Sequence, residues 1–194
     1  MRNTVTTALG FLLLASPLAA QDTAPGGIDD LSIGEIVEED QSIGAAYVAD
    51  VFGDWSLRCI RTEDGNDPCR LYQLLSDANG NSVAEISLFR LPDGEQAEAG
   101  ATIITPLETL LTQQLTLAVD GGGLKRYPFT FCAQIGCVAR VGFLSEDVEA
   151  FQRGAEAIMS IVPVAAPDQV VEVTVSLNGF TAGYQAVTEA PGNN

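Results

Sequence analysis

The chain has 194 residues, 46% of them apolar, which suits one domain with tails and one core. Its 26 acidic and 9 basic residues give a net charge of −17, a field that repels nucleic acid and anionic membrane surfaces. It has no histidine, which removes Ser-His-Asp and Cys-His catalysis and imidazole metal sites.

Arg2 precedes an apolar run from Val5 to Leu14, followed by Ser16-Pro17-Leu18-Ala19-Ala20. A basic start, a short apolar run and small residues predict a secretory signal peptide over 1–20. The run falls short of the ~20 residues that cross a bilayer as a helix. No later stretch approaches that length, so the protein is expected to be periplasmic or secreted, without a membrane span. Residues 21–50 carry Asp22, Asp29, Asp30, Glu35, Glu38, Glu39, Asp40 and Asp50 with no basic residue among them. Like charge and few large apolar groups predict an acidic, largely disordered leader, with order beginning near Ala45 to Val51.

The domain is expected over 51–187. Trp55, Leu57 and Cys59 share one face at period two, the pattern of a half-buried strand. Trp55 is assigned to the core because an indole buries much area. Turn chemistry at Glu63 to Pro68 and at Asp77 to Asn81 separates further strands, Cys69 to Ser76 and Ser82 to Leu91. Both loops are rich in oxygen, but neither has the spacing of a calcium loop, and turn formation alone explains them. Pro92-Asp93-Gly94 breaks the chain again, and Ala101 to Thr105 and Leu115 to Val119 are β-prone. Lys125-Arg126, the only adjacent basic pair, is read as keeping a strand edge soluble. Phe129 to Val141 forms a hairpin with Cys132 and Cys137 at the two ends of its turn. One short helix is expected near 145–154, capped by Ser145, with Glu146 and Asp147 in its first turn and Gly154 at its end. Ala155 to Val164 and Val170 to Leu177 follow as strands. Phe180 and Tyr184 close the domain by tucking inward, Phe180 as a second core residue. Residues 188–194 read as a loose tail. Seven or more short strands with turns between them predict an all-β sandwich or barrel.

Four cysteines allow three pairings, and the sequence does not choose among them. Export makes disulfides the default for Cys59, Cys69, Cys132 and Cys137. Geometry favours local pairs, Cys59 with Cys69 and Cys132 with Cys137. A zinc site wants C-x2-C pairs and a redox pair wants C-x-x-C, and neither spacing occurs. No metal or other cofactor is called for. Carboxylate-only hydrolysis, as in glycosidases, needs no histidine. Glu85, Glu108 and Asp120 lie within the domain, but no spacing singles out a pair, so no catalytic residue is assigned.

Phe52-Gly53-Asp54-Trp55, Cys59, Cys69, Tyr127-Pro128-Phe129, Cys132, Gly136-Cys137-Val138-Ala139, Leu177 and Gly179-Phe180-Thr181-Ala182, in that order, resemble the invasion-associated locus B family. The resemblance runs from about Val51 to Val187. It implies an exported alphaproteobacterial protein with an immunoglobulin-like antiparallel β-sandwich, and it brings no catalytic residues. Some relatives are associated with bacterial entry into host cells. Pro106-Leu107-Glu108 stands where the family pattern has Pro-Leu-Gly, so that loop is expected to differ. The combined expectation is a non-enzymatic binding or envelope-accessory protein, its partner an unknown protein or envelope component. Host-cell adhesion and a carboxylate-dependent hydrolase acting on envelope glycans are the alternatives. The sequence does not determine the oligomeric state.

Overall fold

The computed structural model describes residues 34–35, 41–77 and 79–193. The signal peptide expected over 1–20 and most of the acidic leader lie outside the described residues.

Strands β1 (Ala46–Phe52), β2 (Trp55–Ile60), β3 (Cys69–Ser76), β4 (Ser82–Arg90) and β5 (Ala99–Thr105) run as a meander. They are followed by β6 (Leu115–Val119), β7 (Lys125–Tyr127), β8 (Phe131–Ala133), β9 (Gly136–Phe143), helix α1 (Ser145–Arg153), β10 (Glu156–Ile161), β11 (Val171–Ser176) and helix α2 (Phe180–Glu189). All strand pairings are antiparallel. They build a seven-stranded sheet, β1-β2-β3-β4-β5-β9-β8, and a four-stranded sheet, β11-β10-β6-β7. This is an all-β, sandwich-like fold with two short helices.

The period-two pattern decides which face of each strand enters the core. In β2 and β3 Trp55, Leu57, Cys59, Cys69, Leu71, Gln73 and Leu75 are buried, and Arg58, Ile60, Arg70 and Leu74 between them are exposed. The inner face of the large sheet packs on the small sheet and the helices in one core. Edge-to-face aromatic contacts run through it from Trp55 to Phe180, Phe151, Phe143 and Tyr127, with centroids 4.9 to 6.0 Å apart. Such pairs stabilise by about 0.5–1.5 kcal/mol each beyond the area they bury. Gln73 ties the two sheets together: its Oε1 accepts from the Ser176 backbone N–H at 2.9 Å, and its Nε2 donates to the Ser176 carbonyl at 3.0 Å.

The structure differs from the sequence reading at several points. The domain starts by Ala46, because β1 pairs with β2 from Ala46 to Phe52, with a bulge at Ala49. Its end lies beyond Val187: α2 continues to Glu189, Ala190 is buried, and Gly192 lies against the backbone of Asn66 and Pro68. Among the described residues there are two α-helices, not one. Phe180, Gly183, Tyr184 and Val187 form the buried stripe of α2 at spacings of three and four residues. Gly183 lets α2 approach β3, since a Cβ there would stand 2.5 Å from Leu71 Cδ1. Tertiary packing thus overrides the weak helix propensity of Thr181 and Gly183. Helix α1 is capped at Leu144, not Ser145: the Leu144 N–H donates to the Asp147 carboxylate at 3.0 Å.

Candidate functional site

The four cysteines form two disulfides, Cys59–Cys69 and Cys132–Cys137. Each joins residues that stand directly opposite each other on neighbouring antiparallel strands. The first is deep in the core, with Cys59 1% and Cys69 6% exposed. The second clamps the three-residue edge strand β8 onto β9, with Cys137 buried and Cys132 exposed. Trp55 and Phe180 are fully buried, and the Trp55 indole N–H donates to the Ser176 carbonyl at 2.8 Å.

The three acids considered for hydrolysis are not brought to one cleft. Glu85 lies on the outer face of β4, where its carboxylate accepts from the Tyr72 hydroxyl at 2.9 Å. Asp120 ends β6 in the other sheet and accepts from the backbone N–H groups of Ala155 and Glu156. Glu108 sits exposed in the loop after β5. The hollow of about 470 Å3 beside Glu85 is lined by neither of the others.

The oxygen-rich loops are internally satisfied. The Asp67 carboxylate accepts from the Tyr47 hydroxyl at 2.7 Å and from the Thr62 backbone and hydroxyl at 2.7 and 2.9 Å. Asp77 accepts from the backbone N–H groups of Asn79 and Asn81. Among the described residues no group of three or more His, Cys, Asp or Glu side chains is placed to hold a metal ion. Lys125 pairs with Asp147 and Glu146 at the start of α1, an ion pair that fastens edge strand β7 to the helix. Hydrogen bonding to Asp147 holds the Lys125 ammonium above its ordinary range.

The outer face of the large sheet carries a different chemistry. Arg58 and Arg70 stand directly opposite each other on β2 and β3. The Arg58 guanidinium lies 3.3 Å from the centroid of the Tyr72 ring, Arg70 lies 5.5 Å from that of Phe89, and Arg140 lies 5.9 Å from that of Phe131. Among the described residues none of these three arginines has a carboxylate in ion-pair range. Like charges directly opposite on a sheet destabilise it, and the nearby Glu85 is engaged by the Tyr72 hydroxyl. A trough of about 570 Å3 runs from Arg70 and Phe89 across Gly100 and Thr102 to Arg140 and Phe131. Gly100 lets the Phe89 ring pack down against β5, because the ring occupies the space where a Cβ would stand, 2.6 Å away.

The sequence reading missed this face. The signal was present in Leu57-Arg58-Cys59, Cys69-Arg70-Leu71 and Ala139-Arg140-Val141, each an arginine between two core positions of a strand. Which strands lie side by side, and hence that these arginines share one surface, is a matter of sheet order.

The family model described as Invasion associated locus B (IalB) protein matches residues 55–188. The chain belongs to the IalB family. Its fold is similar to the crystal structure of invasion associated protein b from Bartonella henselae, with a TM-score of 0.60 and 22% identity over 72% of this chain and 93% of that one. No curated protein matches the chain. In this IalB protein the two segments that open and close the resemblance meet in space. A Cβ on Gly53 would stand 2.5 Å from the Asn178 carbonyl oxygen, and one on Gly179 would stand 2.1 Å from the Phe52 carbonyl oxygen. Asp54 accepts from the Ser176 hydroxyl at 2.6 Å across the same junction. These IalB motif residues therefore lock the two ends of the domain together.

Proposed function

We propose that this IalB protein is an exported, non-enzymatic binding or accessory module of the bacterial envelope. The observation that carries the reading is the outer face of the large sheet, where three exposed arginines lie beside aromatic rings and, among the described residues, have no ion pair. In a chain of net charge −17 these arginines make a local cationic patch on an otherwise acidic molecule, which suits an anionic partner. The two disulfides favour an oxidising compartment. Among the described residues no helix is long and apolar enough to cross a membrane.

The test has two arms. Fractionation of the native cells, with thiol labelling of the recovered protein, is expected to place the chain in the envelope fraction with no free thiol. Crosslinking in the envelope is expected to join the outer sheet face to a discrete component. Recovery from the cytosol with four reduced thiols, or failure of every crosslinker on that face to capture a component, would sink the reading.

A further inference from the structure

We propose that the trough between Arg70 and Arg140 binds a carboxylate-bearing glycan of the uronic-acid class, an inference that rests on the reading of the chain as an envelope binding protein. The trough, about 570 Å3, is within the size range of small-ligand sites, roughly 300–1,000 Å3. It crosses the sheet from β3 over β4 and β5 to β9, three strand spacings or about 14 Å. That length suits a short oligomer, not a lone ion. At each end a guanidinium lies over an aromatic ring, Arg70 with Phe89 and Arg140 with Phe131. A guanidinium binds a planar carboxylate through paired N–H donors. The rings add flat apolar surface on which the C–H face of a sugar can stack. Between them lie Gly100, against which the Phe89 ring packs, and Thr102.

Three physical points select the ligand class. The backbone groups of β4, β5 and β9 are already spent in the sheet ladders, so an extended peptide laid on this face gains no strand pairing. The net charge of −17 disfavours dense polyanions such as nucleic acid. A short uronate oligomer carries far fewer charges than a nucleic-acid duplex, and its carboxylates meet the arginines within the trough, inside the screening length of about 8 Å at physiological salt. The Cys132–Cys137 disulfide holds β8, and with it Phe131, at the trough wall.

The experiment is calorimetric titration of the full mature chain with tetragalacturonate, its fully methyl-esterified form and tetraglutamate. Saturable binding of tetragalacturonate is expected, weakened at least about tenfold by Arg70→Gln, by Arg140→Gln and by esterification, each of which removes a charge-assisted contact. Phe131→Ala is expected to weaken binding as well. All three variants change exposed or half-exposed side chains, so their thermal midpoints are expected to match the parent and report on folding. No heat with tetragalacturonate, equal binding of the ester, or indifference to both arginine substitutions overturns the proposal. Tetraglutamate binding as tightly through the same arginines assigns the trough to acidic peptides and overturns the glycan class. Equal envelope crosslinking by the parent and the Arg70→Gln/Arg140→Gln variant leaves the binding-module reading standing and removes the trough from it.

Discussion

The Cα of Gly179 presses against the Phe52 carbonyl so closely that a methyl group there would stand 2.1 Å from the oxygen. Gly179 also has φ +85°, a conformation that side chains resist. Gly179→Ala must therefore open the junction between the first strand and the last helix. We expect a loss of about 2–4 kcal/mol, the sum of a strained backbone and a displaced contact. Urea unfolding measures it, and a variant within 1 kcal/mol of the parent would contradict the packing described, given that ordinary surface changes stay within about 0.5 kcal/mol.

The two disulfides are expected to differ in how easily they are reduced. Exchange requires a thiolate to reach a sulfur. Cys132 is exposed, whereas Cys59 and Cys69 are 1% and 6% exposed. Mild reductant under native conditions should open Cys132–Cys137 first, and Cys59–Cys69 only as the protein unfolds. Timed alkylation with peptide mass mapping reads the order. In the chain-entropy model each closure stabilises by about 2–3 kcal/mol, so Cys59→Ser/Cys69→Ser should lower stability by at least that much.

Gln73 is buried at 5% exposure, with both ends of its amide on the Ser176 backbone. Gln73→Leu keeps most of the volume and removes both bonds to Ser176, together with a long one to the Asp54 carbonyl at 3.4 Å. The Ser176 carbonyl keeps the Trp55 indole N–H, so the expected cost is about 1–3 kcal/mol, from the Ser176 N–H left without its acceptor. Gln73→Glu is expected to be at least as damaging, since a carboxylate cannot donate to the Ser176 carbonyl. Denaturant unfolding of both variants decides the matter.

Alkaline pH offers a separate check. Burial raises the phenols of Tyr72, Tyr127 and Tyr184, reinforced by Glu85, Asp147 and Glu98 respectively. A raised folded value means these groups contribute stability that is fully present below the unfolded value, about 10, and lost as pH rises through the folded one. Tyr184, whose hydroxyl donates to Glu98 at 3.1 Å, is shifted furthest of the three. Ultraviolet titration should show delayed ionisation of these tyrosines, with Tyr184 ionising only as the fold is lost. Ionisation of these three tyrosines near the free phenol value, about 10, would refute the burial described.

The Glu63 to Pro68 loop predicts the opposite behaviour in acid. Hydrogen bonds from the Asn66 side chain, the Thr62 side chain and the Asn66 backbone lower the Asp64 carboxyl to about 2. The Tyr47 hydroxyl and Thr62 lower Asp67. Depressed values contribute stability that is present above the ordinary carboxylate range, about 4, and lost as pH falls through the folded values. Carbonyl-region NMR titration should place the Asp64 midpoint below the ordinary aspartate value, about 4. Asn66→Ala should raise it, and an unchanged midpoint would remove the Asn66 contact as its cause.

Much of this protein is set by local chemistry that a reader of the sequence can see. Alternation in Trp55 to Ile60 and Cys69 to Ser76 marks strands that bury one face, because side-chain period two follows from the pleat alone. The acids at Glu146 and Asp147 mark the start of α1 through the helix dipole. What depends on distant partners was not legible. Three cysteine pairings were open until strand register set Cys59 opposite Cys69 and Cys132 opposite Cys137. Helix α2 was hidden because Gly183 and Thr181 weaken its propensity, while the Leu71 side chain that requires a glycine is more than a hundred residues away. Arg58, Arg70 and Arg140 became one surface only when sheet order placed β9 beside β5 and β3 beside β4. Periodicity and end charges act within a few residues, so the sequence determines them. Register, sheet order and close approach join segments far apart in the chain, and only the folded structure decides them.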